Sequence, residues 1–120
     1  MTGRMEHLHA LMGVVFRLPD QPDLLLEFVV DTGFTGELTL PPAAVAALAL
    51  PFVYDQAITL ANDSDIEIPV HQATILWQES KRLVHVFATG NRPLLGTALL
   101  AGYELLAQFA DNGLVTIDDI

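Results

Sequence analysis

Asp31 ends an apolar run, Leu24 to Val30, and opens a loop of threonines and glycines; Val29 to Pro41 reads VVDTGFTGELTLP. Burying a lone carboxylate is costly, so an acid directly after such a run calls for a reason. Gly33 permits a sharp turn and the close approach of another backbone. Thr32 carries a short hydroxyl that can be buried if it bonds to backbone across an interface. Asp31 is then presented from a rigid strand end, the placement a catalytic carboxylate needs. The same three residues suit an Asx-type turn that merely closes a strand, and read alone the tripeptide is such a turn.

Other residues offer less chemistry. His7 and His9 are two apart and share a face if they lie on one strand, and His71 and His85 also fall in strand-like stretches. No acidic partner stands at a recognisable metal-ligand spacing, so all four read as solvated or interface histidines, with no metal and no cofactor expected. Ser64 and Ser80 have no histidine at a spacing that suggests a nucleophile. Trp77 and Phe87 read as core. Cysteine is absent, which excludes disulfides, thiol catalysis and thiolate zinc sites and suits a reducing compartment.

The 120 residues carry a formal charge of −10, from fifteen acidic and five basic side chains. The basic residues are scattered, so neither nucleic acid nor an anionic membrane surface is expected as a partner. With 52% hydrophobic and 17% charged residues, the chain suits one folded domain over residues 1–120. The apolar stretch HALMGVVF is too short to span a bilayer and lacks a cleavage signature, so it reads as a first strand and the protein as cytoplasmic.

The elements around Asp31 follow from punctuation by proline and glycine. Residues 5–18 read as one long or bent strand with Gly13 as a candidate bulge. LPDQPD is turn chemistry, and LLLEFVV, residues 24–30, a buried strand. PPAAVAALAL reads as a helix stopped by Pro51. QAITLA and DIEIPVHQATILW flank the polar tip Asn62-Asp63-Ser64 as a hairpin. RLVHVFAT is a further strand, LLGTALLAGYELLAQFA a short helical piece with a strand, and DNG a turn before the strand LVTI. Seven or so strands with one or two short helices predict a mainly β fold, a small closed or nearly closed β-barrel.

RPLLGTALL, residues 92–100, sets two leucines before Gly96 and a short helix-like turn. DTG followed far down the chain by two apolar residues and glycine is the paired signature of the retropepsin-like (clan AA) aspartic proteases. VDTGFTGELTLP together with PLLGTALLAG resembles their small single-domain prokaryotic branch, over residues 13–117. The resemblance implies a retropepsin-like β-barrel in which Asp31 is catalytic and Thr32, Gly33, Phe34 and Thr35 shape the active-site loop. It implies that Leu94, Leu95 and Gly96 brace that loop. Leu60, Ala61, Asn62, Asp63, Ser64 and Asp65 would form a mobile, substrate-binding flap, with Asn-Asp where relatives often carry glycine.

In this family two carboxylates share one proton around a water: one draws a proton from the water, the other donates to the substrate carbonyl. The chain has one DTG, and its other aspartates, such as Asp63, Asp65, Asp111, Asp118 and Asp119, lie in turn-like or terminal settings. The resemblance therefore implies a homodimer with Asp31 at the two-fold axis and Thr32 reaching across it. It also implies a peptide or protein substrate lying extended under the flaps, with apolar side chains preferred. Phe34 stands where pepsin-like relatives usually carry serine and donates no hydrogen bond, which predicts a mildly acidic activity optimum; Thr35 is a candidate replacement. The alternative is a non-catalytic dimeric peptide-binding or assembly module of the same fold.

Overall fold

The computed structural model describes all 120 residues. Ten strands and two short helices follow in the order β1 (Thr2–Glu6), β2 (His9–Arg17), β3 (Leu24–Val30), β4 (Leu38–Leu40), α1 (Pro42–Ala47), β5 (Phe52–Thr59), β6 (Asp65–Trp77), β7 (Ser80–Ala88), β8 (Leu94–Leu95), α2 (Thr97–Leu100), β9 (Tyr103–Ala107) and β10 (Leu114–Asp119). Strand neighbours run β5-β6-β7-β4-β8-β3-β2-β1-β10-β9, and β6 pairs a second time, with β2. That extra pairing, Val15–Arg17 against Thr74–Leu76, closes β2, β3, β8, β4, β7 and β6 into a ring. The mainly β architecture with short helices is the one expected. No helix is long and apolar enough to cross a membrane.

Period-two alternation fills the ring. Along β2, Met12, Val14 and Phe16 are buried, while Leu11, Gly13 and Val15 between them are half-buried, as a strand with one inward face requires. Phe16 stacks on Phe28 of β3, ring centroids 5.9 Å apart and planes within 5°. β7 adds Val84, Val86 and Ala88, the short β4 adds Leu38 and Leu40, and β10 closes one end with Val115 and Ile117. Trp77 is buried as expected, its ring edge-on to Tyr103 at 5.7 Å. The helix α1 starts on Pro41-Pro42, buries Val45, and ends before Ala49, whose φ of 51° turns the chain toward Pro51.

Three expectations are corrected. Residues 5–18 are not one strand: His7 and Leu8, with φ of 49° and 64°, form a two-residue turn between β1 and β2. Positive φ at both loop positions is the twist that a tight hairpin needs, usually supplied by Asn or Gly. His7 therefore sits in the turn and does not share a strand face with His9. Gln78 and Glu79 make the same turn between β6 and β7, with φ of 50° and 68°. Gly13 is not a bulge, because the β2–β3 register runs unbroken from Leu11↔Val29 to Phe16↔Leu24; Leu25 lies over the space its side chain would fill. Finally, β3 is buried on one face only, and Leu25 is 66% exposed.

Phe28 is fully buried against Phe16, so Phe28→Ala should lower stability by about 3–5 kcal/mol. A denaturant midpoint within error of the wild type would show that this stack does not hold the ring.

Candidate active site

Asp31 follows the last residue of β3, and β8 fixes where it stands. Val29 N–H donates to the Pro93 carbonyl at 3.0 Å and Asp31 N–H to the Leu95 carbonyl at 2.9 Å. β8 lies parallel to β3 and antiparallel to β4, two strands that are consecutive in sequence. The 31–37 loop must therefore cross over the end of β8 to reach β4. Leu94, Leu95 and Gly96 are thus brought beside the Asp31 loop.

The loop is held from the far side as well. Gly96 N–H donates to the Glu37 carbonyl at 2.8 Å, Thr97 N–H to the Phe34 carbonyl at 2.8 Å and Ala98 N–H to the Gly36 carbonyl at 3.2 Å. The first N–H groups of a helix have no partner within it; here the loop carbonyls serve those of α2. The Thr97 hydroxyl adds a donor to the Phe34 carbonyl at 3.3 Å. Thr39, 3% exposed, accepts from Leu94 N–H through Oγ1 at 3.1 Å. Glu37 accepts from His85 N–H at 2.8 Å and from Arg82 Nη2 at 3.3 Å, which ties the loop's end to β7.

Phe34 is a packing residue. Its half-buried ring meets Phe87 edge-on at 5.6 Å and lies directly over Gly36 and Gly96. A Cβ on Gly36 would fall 2.5 Å from Phe34 Cζ, and one on Gly96 would overlap the Gly36 carbonyl oxygen. An aromatic side chain in this loop thus requires glycine at both places. Thr32 and Thr35 are exposed, and neither joins the hydrogen bonds that Thr39 and Thr97 make within the chain.

The turn expected at Asp31 is present. Asp31 Oδ1 accepts from Gly33 N–H at 2.8 Å, an Asx-type turn, and a Cβ on Gly33 would crowd that oxygen at 3.1 Å. The half-buried carboxylate also lines a hollow of about 530 Å³, with Val29, Val30, Thr32 and Leu94 as its neighbours and Arg92 and His9 on its rim. A backbone donor on a carboxylate holds it in one orientation. A second hollow of about 480 Å³ lies between Arg17, Leu48, Leu50, Gln72 and Lys81, and no carboxylate lines it.

The hairpin tip Leu60–Asp65 is exposed and does not line the Asp31 hollow. It is closed by its own groups: Leu60 N–H donates to the Ser64 carbonyl at 2.8 Å, and Asn62 Oδ1 accepts from Ser64 N–H at 3.1 Å and Ser64 Oγ at 2.6 Å. Asp63 supplies the positive φ, 63°, that a glycine would otherwise provide. Of the histidines, His71 Nδ1 bonds to the Leu50 carbonyl oxygen at 2.8 Å, and His85 sits edge-on to Tyr54. The sequence reading missed Gly36, Glu37, Thr39, His9 and Arg92. Glu37 and Thr39, two apart in GELTLP, carried a period-two signal; the others are joined only by the fold.

Two substitutions test the brace. Gly96→Ala should destabilise the protein by about 1–3 kcal/mol through overpacking. Thr39→Val, which leaves Leu94 N–H buried without an acceptor, should cost about 1–3 kcal/mol. Thermal denaturation reads both, and unchanged melting of either variant would contradict the bracing described.

No protein-family model matches the chain, and no curated protein matches it in sequence. Among solved structures it is similar to the crystal structure of a retropepsin-like aspartic protease from Rickettsia conorii. The TM-score is 0.64 at 13% sequence identity, over 99% of this chain and 89% of that one. With β8 threaded between β3 and β4 beneath an Asp-Thr-Gly loop, the chain has the fold of the retropepsin-like aspartic proteases.

Proposed function

We propose that the protein is an aspartic endopeptidase that works as a homodimer, with Asp31 of each protomer contributing one carboxylate to a shared site. The observation that carries this reading is the Asp31 loop itself: a carboxylate on a doubly braced strand end, opening on a hollow, in a retropepsin-like fold. One protomer supplies a single such carboxylate, and the chemistry needs two, so a two-fold axis completes the site. The exposed Thr32, free of hydrogen bonds within the protomer, is the group to reach across that axis.

The mechanism follows from the pairing. Two carboxylates held close together cannot both ionise easily, so they retain one proton between them. The ionised one takes a proton from a water lying between the pair, and that water attacks the peptide carbonyl. The protonated one donates to the carbonyl oxygen. The tetrahedral species then breaks its C–N bond as a proton passes to the leaving nitrogen, and no covalent enzyme intermediate forms. The N–H of Gly33, bonded to Oδ1, keeps the carboxylate in one orientation through the cycle.

A peptide substrate lies extended along the cleft, bonding through its main chain in the manner of an added strand. The hairpin tip Leu60–Asp65 acts as the flap that closes over it and excludes water. Leu94 and Val30, on the wall of the hollow, supply apolar contact to substrate side chains. The cysteine-free sequence supports work in the cytoplasm, and residues 1–120 act as a single retropepsin-like domain.

Asp31→Asn should abolish cleavage of a proteome-derived peptide library while the dimer persists in sedimentation. The loss should be about 10²–10⁴-fold or greater, because the general base and acid are removed together. Equal cleavage by the wild type and the variant would refute the peptidase and leave a dimeric binding module.

A further inference from the structure

Arg92 has a setting unlike that of the other arginines. Arg4 pairs with Glu6 and Glu27, Arg17 forms a two-pronged pair with Asp23 at 2.9 Å, and Arg82 meets Glu37. These pairs are strong enough that the hydrogen bond from Arg17 holds the Asp23 carboxyl below its ordinary range, as that from Arg4 does for Glu6. Arg92 has no carboxylate within 4 Å, although the chain carries fifteen acidic residues against five basic ones. Its Nη1 instead lies 3.3 Å from His9 Nε2, across 83 residues of sequence.

Both side chains stand on the rim of the Asp31 hollow. The β2–β3 register Leu11↔Val29, continued by two residues, sets His9 opposite Asp31. Arg92 is held at the edge by its neighbour Pro93, whose carbonyl accepts from Val29 N–H at 3.0 Å. A guanidinium has only donors, so in this contact His9 Nε2 is the acceptor. This contact orients Arg92 through Nη1 and leaves its other N–H groups for a ligand. A planar guanidinium with free donors matches a carboxylate in a fork-to-fork pair.

We propose that Arg92, positioned by His9, forms a subsite that selects substrates with a glutamate or aspartate side chain close to the cleaved bond. The assignment takes its substrate class, a peptide, from the peptidase reading above. A cation at the rim also offsets the repulsion that a strongly acidic protein presents to an acidic peptide.

The test is cleavage of a proteome-derived peptide library, read by mass spectrometry, followed by matched peptides carrying Glu or Gln at the enriched position. The wild type should favour Glu over Gln in kcat/KM by about 10–100-fold. The ratio should fall to about one in Arg92→Ala, be kept in part by Arg92→Lys, and give way in Arg92→Glu to a preference for Lys. A wild-type ratio near one, or a ratio unmoved in Arg92→Ala, overturns the subsite and leaves the peptidase reading standing. Retention of the same library on immobilised Asp31→Asn protein separates the two failures. Enrichment of acidic peptides there, with no turnover by the wild type, keeps the subsite and removes the peptidase. No acidic enrichment in either format overturns the subsite.

Discussion

The segment Leu94–Leu95 passes between β3 and β4, and the rest of the site depends on that insertion. Strands consecutive in sequence ordinarily pair with each other through a short turn. Here a third strand takes the hydrogen bonds of both, so the connecting loop has to span its width. The loop's polar groups are satisfied by what it crosses: the Leu95 carbonyl takes Asp31 N–H, and the loop's own carbonyls take Gly96, Thr97 and Ala98 N–H. A buried peptide group left unpaired is costly, and this arrangement leaves the loop little freedom to rearrange. Asp31 is therefore positioned by backbone, with the orientation of its carboxylate fixed by the neighbouring Gly33 N–H.

Packing reinforces the same point from another direction. Phe34 fills the underside of the loop against Phe87, and the space it occupies exists because residues 36 and 96 lack side chains. Thr39, the one buried polar residue of the ring, spends its hydroxyl on Leu94 N–H at the crossing itself. Glu37 extends the brace to β7 and through Arg82 to the outer surface. The β5–β6 hairpin runs past the end of β7 and finishes in an exposed tip.

Much of this was legible in the sequence, for physical reasons that differ by element. The strand before Asp31, the alanine-rich helix, the hairpin around Asn62 and the turn at Asn112 all carry local signals: an apolar run, proline at a first turn, polar tips. The paired DTG and LLG segments pointed to the crossing because each has a fixed neighbour relation in one fold. The turns at His7-Leu8 and Gln78-Glu79 were not legible, since neither holds the Asn or Gly that marks positive φ. There strand pairing on both sides overrides local preference. Nor could the sequence join His9 to Arg92, which are 83 residues apart and meet only when β2 and the turn before β8 flank the same strand end.

The central claim is that one protomer holds half of a reaction site. It is tested most directly by mixing wild-type protomers with Asp31→Asn protomers in varying proportion, allowing exchange, and measuring peptide cleavage. If both carboxylates are required, activity follows the square of the wild-type fraction, so an equal mixture retains about one quarter. A linear decline, with about one half retained at equal mixture, would show that each protomer works alone and would contradict the account.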